Sequence, residues 1–134
     1  MPLRRSYVAE RANGPVPEAE VRVGYDEELA ARVRDAVNDA ALRRGLSLRE
    51  KKMFGGLAFM VRDKMAVGVT NMDLMVRVGA AGYDDALARQ HTREMDFTGK
   101  PMRGYVFVDP DGTTDPADVA FWVDQAVTNV ETLG

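Results

Sequence analysis

The sequence predicts an α+β fold, in which an antiparallel β-sheet packs against amphipathic helices at the N- and C-terminal ends of the folded region, with a short helix between them. Three observations lead to this class. Apolar residues recur with a helical period near both ends of that region, and they alternate with a period of two through its middle. The polar links between the alternating segments are too short for crossover connections. We therefore expect a meander of three to five strands.

The first 24 residues show neither period, and they contain the turn-forming run Asn13-Gly14-Pro15-Val16-Pro17. We expect a flexible extension there. A single domain is then expected over residues 25–134, because the 46% hydrophobic content of the 134-residue chain is enough for one core.

An amphipathic helix is expected to begin near Asp26. Apolar residues follow at Leu29, Val33 and Val37, which lie on one face of a helix. Acidic residues open this segment, two arginines close it, and Gly45 follows as a left-handed cap. Both ends therefore agree with the helix dipole.

Three strands are expected between Leu46 and Val78. Their apolar residues alternate as Leu57, Phe59 and Val61, then Met65, Val67 and Val69, then Leu74, Val76 and Val78. The junction Phe54-Gly55-Gly56 offers the positive φ that a tight turn needs. Alternation also places Met60 and Met75 on the other face, where they are exposed, covered by a partner, or fill gaps under a helix.

The remaining elements are a short helix, a strand and a final helix. The short helix is expected over Ala80–Arg89 and the strand over Tyr105–Val108. Asp109-Pro110-Asp111-Gly112 then favours a turn. Asp115-Pro116 combines a side-chain cap with proline at the first helical position. The apolar stripe that follows should cover the sheet and bring Trp122 into the core.

The composition excludes several kinds of site. The chain has no cysteine and one histidine, His91, which excludes thiolate sites, disulfides and metal sites with two imidazoles. No dinucleotide, phosphate-loop or nucleophile-elbow motif is present, so we expect no cofactor and no catalysis. Apolar stretches are far shorter than the roughly 20 residues of a membrane helix. We expect a cytoplasmic location, since no secretory signal pattern is found.

Three sequence blocks in order resemble the N-terminal domain of the TfoX competence-regulator family. They are Glu50–Val61, Asp73–Gly79 and Met95–Met102, and the resemblance extends from about Tyr25 to the end of the chain. It implies an α+β domain and a regulatory role, in proteins that work together with a cyclic-AMP-responsive transcription activator. Full-length members carry a second domain after this one, and we expect this chain to be a standalone N-terminal domain.

The leading hypothesis is a protein-interaction module that modulates a transcription factor through the sheet face and the Phe97–Arg103 loop. Loops of mixed chemistry between strands often bind partners. In the alternative, Gly99 and Pro101 only set backbone angles while Phe97 and Met102 fill the core. The candidate binding residues are Lys51, Lys52, Phe54, Gly55, Gly56, Arg77, Phe97, Gly99, Lys100, Met102 and Arg103.

A second hypothesis is a small-molecule site or minor enzyme with a pocket near His91 and Tyr105. Histidine titrates near neutral pH, which suits acid–base work, although His91 could instead cap the short helix.

A third hypothesis is direct nucleic-acid binding by basic residues converging on the meander, namely Arg49, Lys51, Lys52, Arg62, Lys64 and Arg77. The net charge of −3, the missing helix-turn-helix or zinc signature, and the lack of aromatic residues between the basic ones argue against it. The stretch from Asp109 to Gly134 has six acidic and no basic residues beside a mildly basic sheet. These charges either form a dipolar surface that could steer a partner or simply solvate the exposed faces. The sequence leaves the oligomeric state open.

Overall fold

The structure is a computed structural model that describes residues 24–53, 55–96 and 101–133. The predicted extension lies outside these residues, apart from Gly24. The elements in chain order are α1 (Glu27–Arg44), β1 (Leu48–Met53), β2 (Gly56–Val61), β3 (Lys64–Thr70), β4 (Asp73–Arg77), α2 (Gly79–Leu87), β5 (Thr92–Asp96), β6 (Pro101–Val108), a 3₁₀ turn (Pro110–Gly112) and α3 (Pro116–Glu131).

The six strands form one antiparallel sheet in the order β1-β2-β3-β4-β6-β5. The first four make the expected meander. The last strand of the chain then inserts beside β4 and leaves β5 at the outer edge. The α+β class, with helices at both ends of the domain, is confirmed, and the sheet is wider than three to five strands because β1 and β5 are added at its edges.

The ends of α1 and α3 follow from local side-chain chemistry. Asp26 accepts a hydrogen bond from the Glu28 N–H at 3.0 Å, and Asp115 accepts one from the Ala117 N–H at 2.9 Å. Each carboxylate satisfies an N–H group that the first helical turn leaves unpaired. Gly45 has a φ of 67° and caps α1 through its own N–H, as the sequence predicted.

All three helices pack on one face of the sheet and close a single large core. α3 lies across β3 and β4, α2 packs on β6, and α1 packs beside α3. Trp122 is 5% exposed, so the expected contribution of this residue to the core is confirmed. Most apolar residues predicted from alternation on β2, β3 and β4, such as Phe59, Val67 and Val76, are fully buried beneath the helices. The prediction was wrong for Met65, which lies on the opposite face from Val67 because the register of β2 and β3 shifts beside Met60.

Two arginines at the end of α1 pair with acidic residues of α3. Arg44 contacts Glu131 at 2.7 Å and Asp124 at 3.4 Å, and Arg43 also contacts Asp124 at 3.4 Å. The acidic charge of the final helix is therefore partly balanced from within the domain, which weakens the case for a dipolar surface.

The start of the domain is tied to the β3–β4 turn. The Asp26 N–H donates to the Asn71 carbonyl at 2.6 Å, and the Asn71 N–H donates to the Gly24 carbonyl at 2.7 Å. Residues 24–26 are thus held against the β3–β4 turn, beside the point where β1 ends and β4 begins. Within the described part of the chain, no helix has the length and apolar character that crossing a membrane requires.

Candidate functional site

The face of the sheet opposite the helices carries a second apolar cluster, which we call the methionine face. Its buried members are Ala58, Met65, Met75 and Met95, and its half-buried members are Met53, Met60, Met102, Tyr105 and Phe107. Every one of these residues comes from a strand. Among the described residues, no helix residue belongs to this cluster, whereas helices cover the opposite face.

Strand register assembles the methionine face. Met60 of β2 lies opposite Met65 of β3, and Met75 of β4 lies opposite Gly68. A Cβ atom at Gly68 would stand 2.6 Å from the Met75 Cε. The end of the Met75 side chain therefore occupies the space that a side chain at position 68 would need. This confirms that alternation places Met60 and Met75 on the face opposite Leu57 and Leu74.

Burial divides the methionine face into a fixed base and an adaptable rim. Met75 and Met95 are each 1% exposed, so they are already packed. Met53, Met60 and Met102 are half-buried. Unbranched thioether side chains change rotamer at low cost, which suits a surface that must fit the apolar side chains of another chain.

Two cations on this face pair with no carboxylate of the described residues. Arg77 lies over the Tyr105 ring at 5.6 Å and donates to the Met65 carbonyl at 3.4 Å. Lys51 lies opposite Ala58 in the register of β1 and β2, which places it on the same face, and it is exposed.

The other cations of the methionine face are neutralised. Arg93 lies over the Phe107 ring at 4.9 Å and bridges Asp73, at 2.8 Å, and Asp109. Arg49 pairs with Asp63 at 3.1 Å. The uncompensated charge beside the apolar cluster is therefore positive, and it comes from Lys51 and Arg77.

The structure brings together three of the predicted binding residues, Lys51, Arg77 and Met102. Lys52 pairs with Leu57 and so lies on the helix side of β1. Arg103 also lies on the helix side, over the Tyr83 ring at 4.9 Å. The basic residues proposed to converge for nucleic acid are thus divided between two faces.

Of the remaining predicted residues, the structure describes Gly55 and Gly56. Gly55, with a φ of 72°, lies in the β1–β2 turn, and Gly56, the first residue of β2, lies near Thr70 rather than on the methionine face. Phe54, Phe97, Gly99 and Lys100 lie outside the described residues. Sequence reasoning missed Arg93 and Phe107, although alternation along β6 from Val106 and Val108 could have placed Phe107 on this face.

His91 lines a pocket of about 500 Å³ on the helix side of the molecule. Its other lining residues are Arg89, Gln90, Asp111, Gly112, Asp118, Phe121 and Trp122. Tyr105 is not among them, because it points to the methionine face, so the pocket expected between His91 and Tyr105 does not form. The hydroxyl that caps α2 belongs to Thr92, which donates to the Ala86 and Arg89 carbonyls at 2.8 and 2.7 Å.

The described residues contain no group of three or more acidic or histidine side chains placed to hold a metal ion.

Comparison with known proteins gives one family match. The model of the TfoX N-terminal domain family matches residues 40–130, a range that contains the whole methionine face and the pocket. No curated protein and no solved structure matches the chain. Since the matched range covers most of the sequence and agrees with the three blocks noted above, the chain belongs to the TfoX N-terminal domain family.

Proposed function

We propose that this domain is a non-enzymatic regulatory module that docks a partner protein on the methionine face. The observation that carries the proposal is an apolar sheet face on which the described part of the chain places no helix. A transcription factor is the class of partner that the family resemblance implies. Contiguous apolar surface of this kind is typical of protein-interaction sites in soluble proteins.

The charges beside the methionine face indicate what kind of segment would bind. Lys51 and Arg77 are the cations of this face that form no ion pair with a described carboxylate, while Asp63, Asp73 and Asp109 are all paired. A partner with acidic side chains beside its apolar ridge would pair with the free cations. A basic partner would meet no free carboxylate among these groups. We therefore propose an acidic amphipathic segment as the occupant.

The rim explains how one face could accept such a segment. Met53, Met60 and Met102 can rearrange around apolar side chains while Met75 and Met95 stay packed beneath them. Binding would bury the half-exposed thioethers and the Tyr105 and Phe107 rings. Aromatic and methionine side chains are those enriched at the centres of protein interfaces.

Binding of designed amphipathic peptides tests this proposal. Three helical peptides share one apolar face and differ only in a polar face that is acidic, neutral or basic, and fluorescence anisotropy measures their dissociation constants. We expect the acidic peptide to bind at least about tenfold more tightly than the basic one, and its advantage to shrink as salt rises.

The two neighbouring lysines of β1 provide a matched control. Lys51→Glu should weaken binding of the acidic peptide by about tenfold, because it replaces an attraction with a repulsion at the binding face. Lys52→Glu makes the same charge change on the other side of the strand and should alter binding less than about twofold. Equal losses in the two variants, equal binding of the three peptides, or no binding at all would each overturn the proposal.

A further inference from the structure

The pocket around His91 holds charged groups that form no ion pair with any other residue the structure describes. It lies where the end of α2 meets the 3₁₀ turn and the first turns of α3, on the side of the sheet away from the methionine face. Its volume of about 500 Å³ falls within the range of about 300–1,000 Å³ that is usual for small-molecule sites.

Arg89 is the cation of this pocket. Its guanidinium carbon lies 4.1 Å from the centre of the Phe121 ring and 6.0 Å from that of Trp122. It forms an ion pair with no carboxylate in the part of the chain that the structure describes. A guanidinium held over an aromatic ring is oriented before a ligand arrives and keeps its N–H groups for an anion.

Asp111 and Asp118 are the anions of the pocket. The other acidic residues of the C-terminal stretch are engaged: Asp109 with Arg93, Asp124 and Glu131 with the arginines of α1, and Asp115 with the N-terminus of α3. Asp111 and Asp118 pair with no cation of the described residues. The pocket therefore presents one positive group and two negative groups that do not neutralise one another.

The wall formed by His91 has a fixed backbone. His91 has a φ of 69°, in the left-handed region, and its carbonyl accepts a hydrogen bond from the Asp109 N–H at 2.7 Å. A Cβ atom at Gly112 would stand 2.9 Å from the His91 Cβ, so the 3₁₀ turn comes this close only with glycine there.

We propose that this pocket binds a small zwitterion, namely a free α-amino acid with an apolar side chain. The ligand carboxylate pairs with the Arg89 guanidinium, and the ammonium group lies at Asp111 and Asp118. The apolar side chain packs against the edge of the Phe121 ring, whose face Arg89 covers, and against the small exposed part of Trp122. Each charged group of the pocket thereby gains a partner of opposite sign. This inference is independent of protein docking on the methionine face.

Titration with leucine and its two single-charge analogues tests the proposal. Trp122 is the only tryptophan of the chain and lines the pocket, so its fluorescence reports occupancy directly. We expect leucine to give a saturable change. Binding of 4-methylpentanoate, which lacks the ammonium group, and of isoamylamine, which lacks the carboxylate, should be at least about tenfold weaker, since each loses one charge-assisted contact.

Arg89→Gln and Arg103→Gln make a matched pair of variants. Both arginines lie over an aromatic ring, Arg103 over Tyr83, but only Arg89 lines the pocket. Arg89→Gln should weaken leucine binding by at least about tenfold and Arg103→Gln by less than about twofold. No saturable signal up to about 10 mM leucine, analogues that bind as tightly as leucine, or equal losses in the two variants would each overturn the proposal. Circular dichroism confirms that both variants are folded.

Discussion

Gly79 and Gly82 lie three residues apart in α2 and have opposite structural requirements. Gly79 has a φ of 82°, and a Cβ atom there would stand 2.2 Å from the Asn129 Oδ1 of α3. Gly82 has ordinary helical geometry, and its added Cβ would meet only the Val78 Cβ, at 3.8 Å. Position 79 needs glycine for both conformation and space, whereas glycine at position 82 only weakens the helix.

Alanine at the two positions should therefore change stability in opposite directions. We expect Gly79→Ala to lower the free energy of unfolding by about 2–3 kcal/mol, from left-handed strain and the contact with Asn129. Gly82→Ala should raise it by about 0.5–1 kcal/mol, because the unfolded chain loses conformational freedom. Urea denaturation of both variants measures the difference, and changes of equal sign would contradict this account of α2.

At the scale of the elements, an ion pair joins α1 to the edge strand β1. The Nε and Nη2 atoms of Arg34 both donate to the Glu50 carboxylate, and the Nη2–Oε1 distance is 3.0 Å. The hydrogen bonds from Arg34 lower the pKa of Glu50 below its ordinary value of 4.5. Because the side chains are 39% and 35% exposed, solvent screens this pair, and we expect a contribution of only about 0.5 kcal/mol.

The pH dependence of this pair follows from the direction of the shift. A carboxyl whose pKa is lowered by folding stabilises the folded state at pH values above its pKa in the unfolded chain. That stabilisation is lost as the pH falls through its pKa in the folded protein. Glu50→Gln should therefore lower the unfolding free energy by about 0.5 kcal/mol at pH 7 and leave no difference from wild type by about pH 3.

Thermal or urea unfolding across this pH range measures the effect, with Asp63→Asn as the control. The Arg49–Asp63 pair is more exposed, at 63% and 76%, so Asp63→Asn should change the unfolding free energy at pH 7 by less than Glu50→Gln does. A Glu50→Gln deficit that stays constant down to pH 3 would contradict an electrostatic origin.

The elements also show which parts of the fold a sequence can predict. α1 and α3 were predictable because their apolar period and caps are local. β1 and β5 were not, because the sequences LREKKM and TREMD are polar edge strands with little apolar alternation. The position of β6 between β4 and β5 depends on long-range pairing that no local pattern encodes.

The candidate site follows the same division. The methionine face could be predicted where alternation holds, as at Met60 and Met75. The position of Arg103 on the helix side could not be predicted, because Gly104, with a φ of 98°, interrupts the alternation of β6. The contact of Arg89 with Phe121 joins residues 32 positions apart and required the packed helices.

At the scale of the whole molecule, protection from solvent should fall from the centre of the sheet to its edges. β2, β3 and β4 are buried over most of their length, whereas β1 is mainly exposed. Amide hydrogen exchange followed by mass spectrometry should therefore show the slowest exchange in β3 and the fastest strand exchange in β1 and β5. Exchange in β1 as slow as that in β3 would contradict this gradient.

The packing of α1 against α3 has a consequence for biosynthesis. These helices are the first and last elements in the sequence of the folded region. The helical layer that covers the core is therefore incomplete until α3 has been synthesised. On the ribosome, a nascent chain that has released its strands but still holds α3 in the exit tunnel exposes the valines that α3 later covers. We expect chaperones to engage the polypeptide in that interval, and truncation before Pro116 to yield insoluble product.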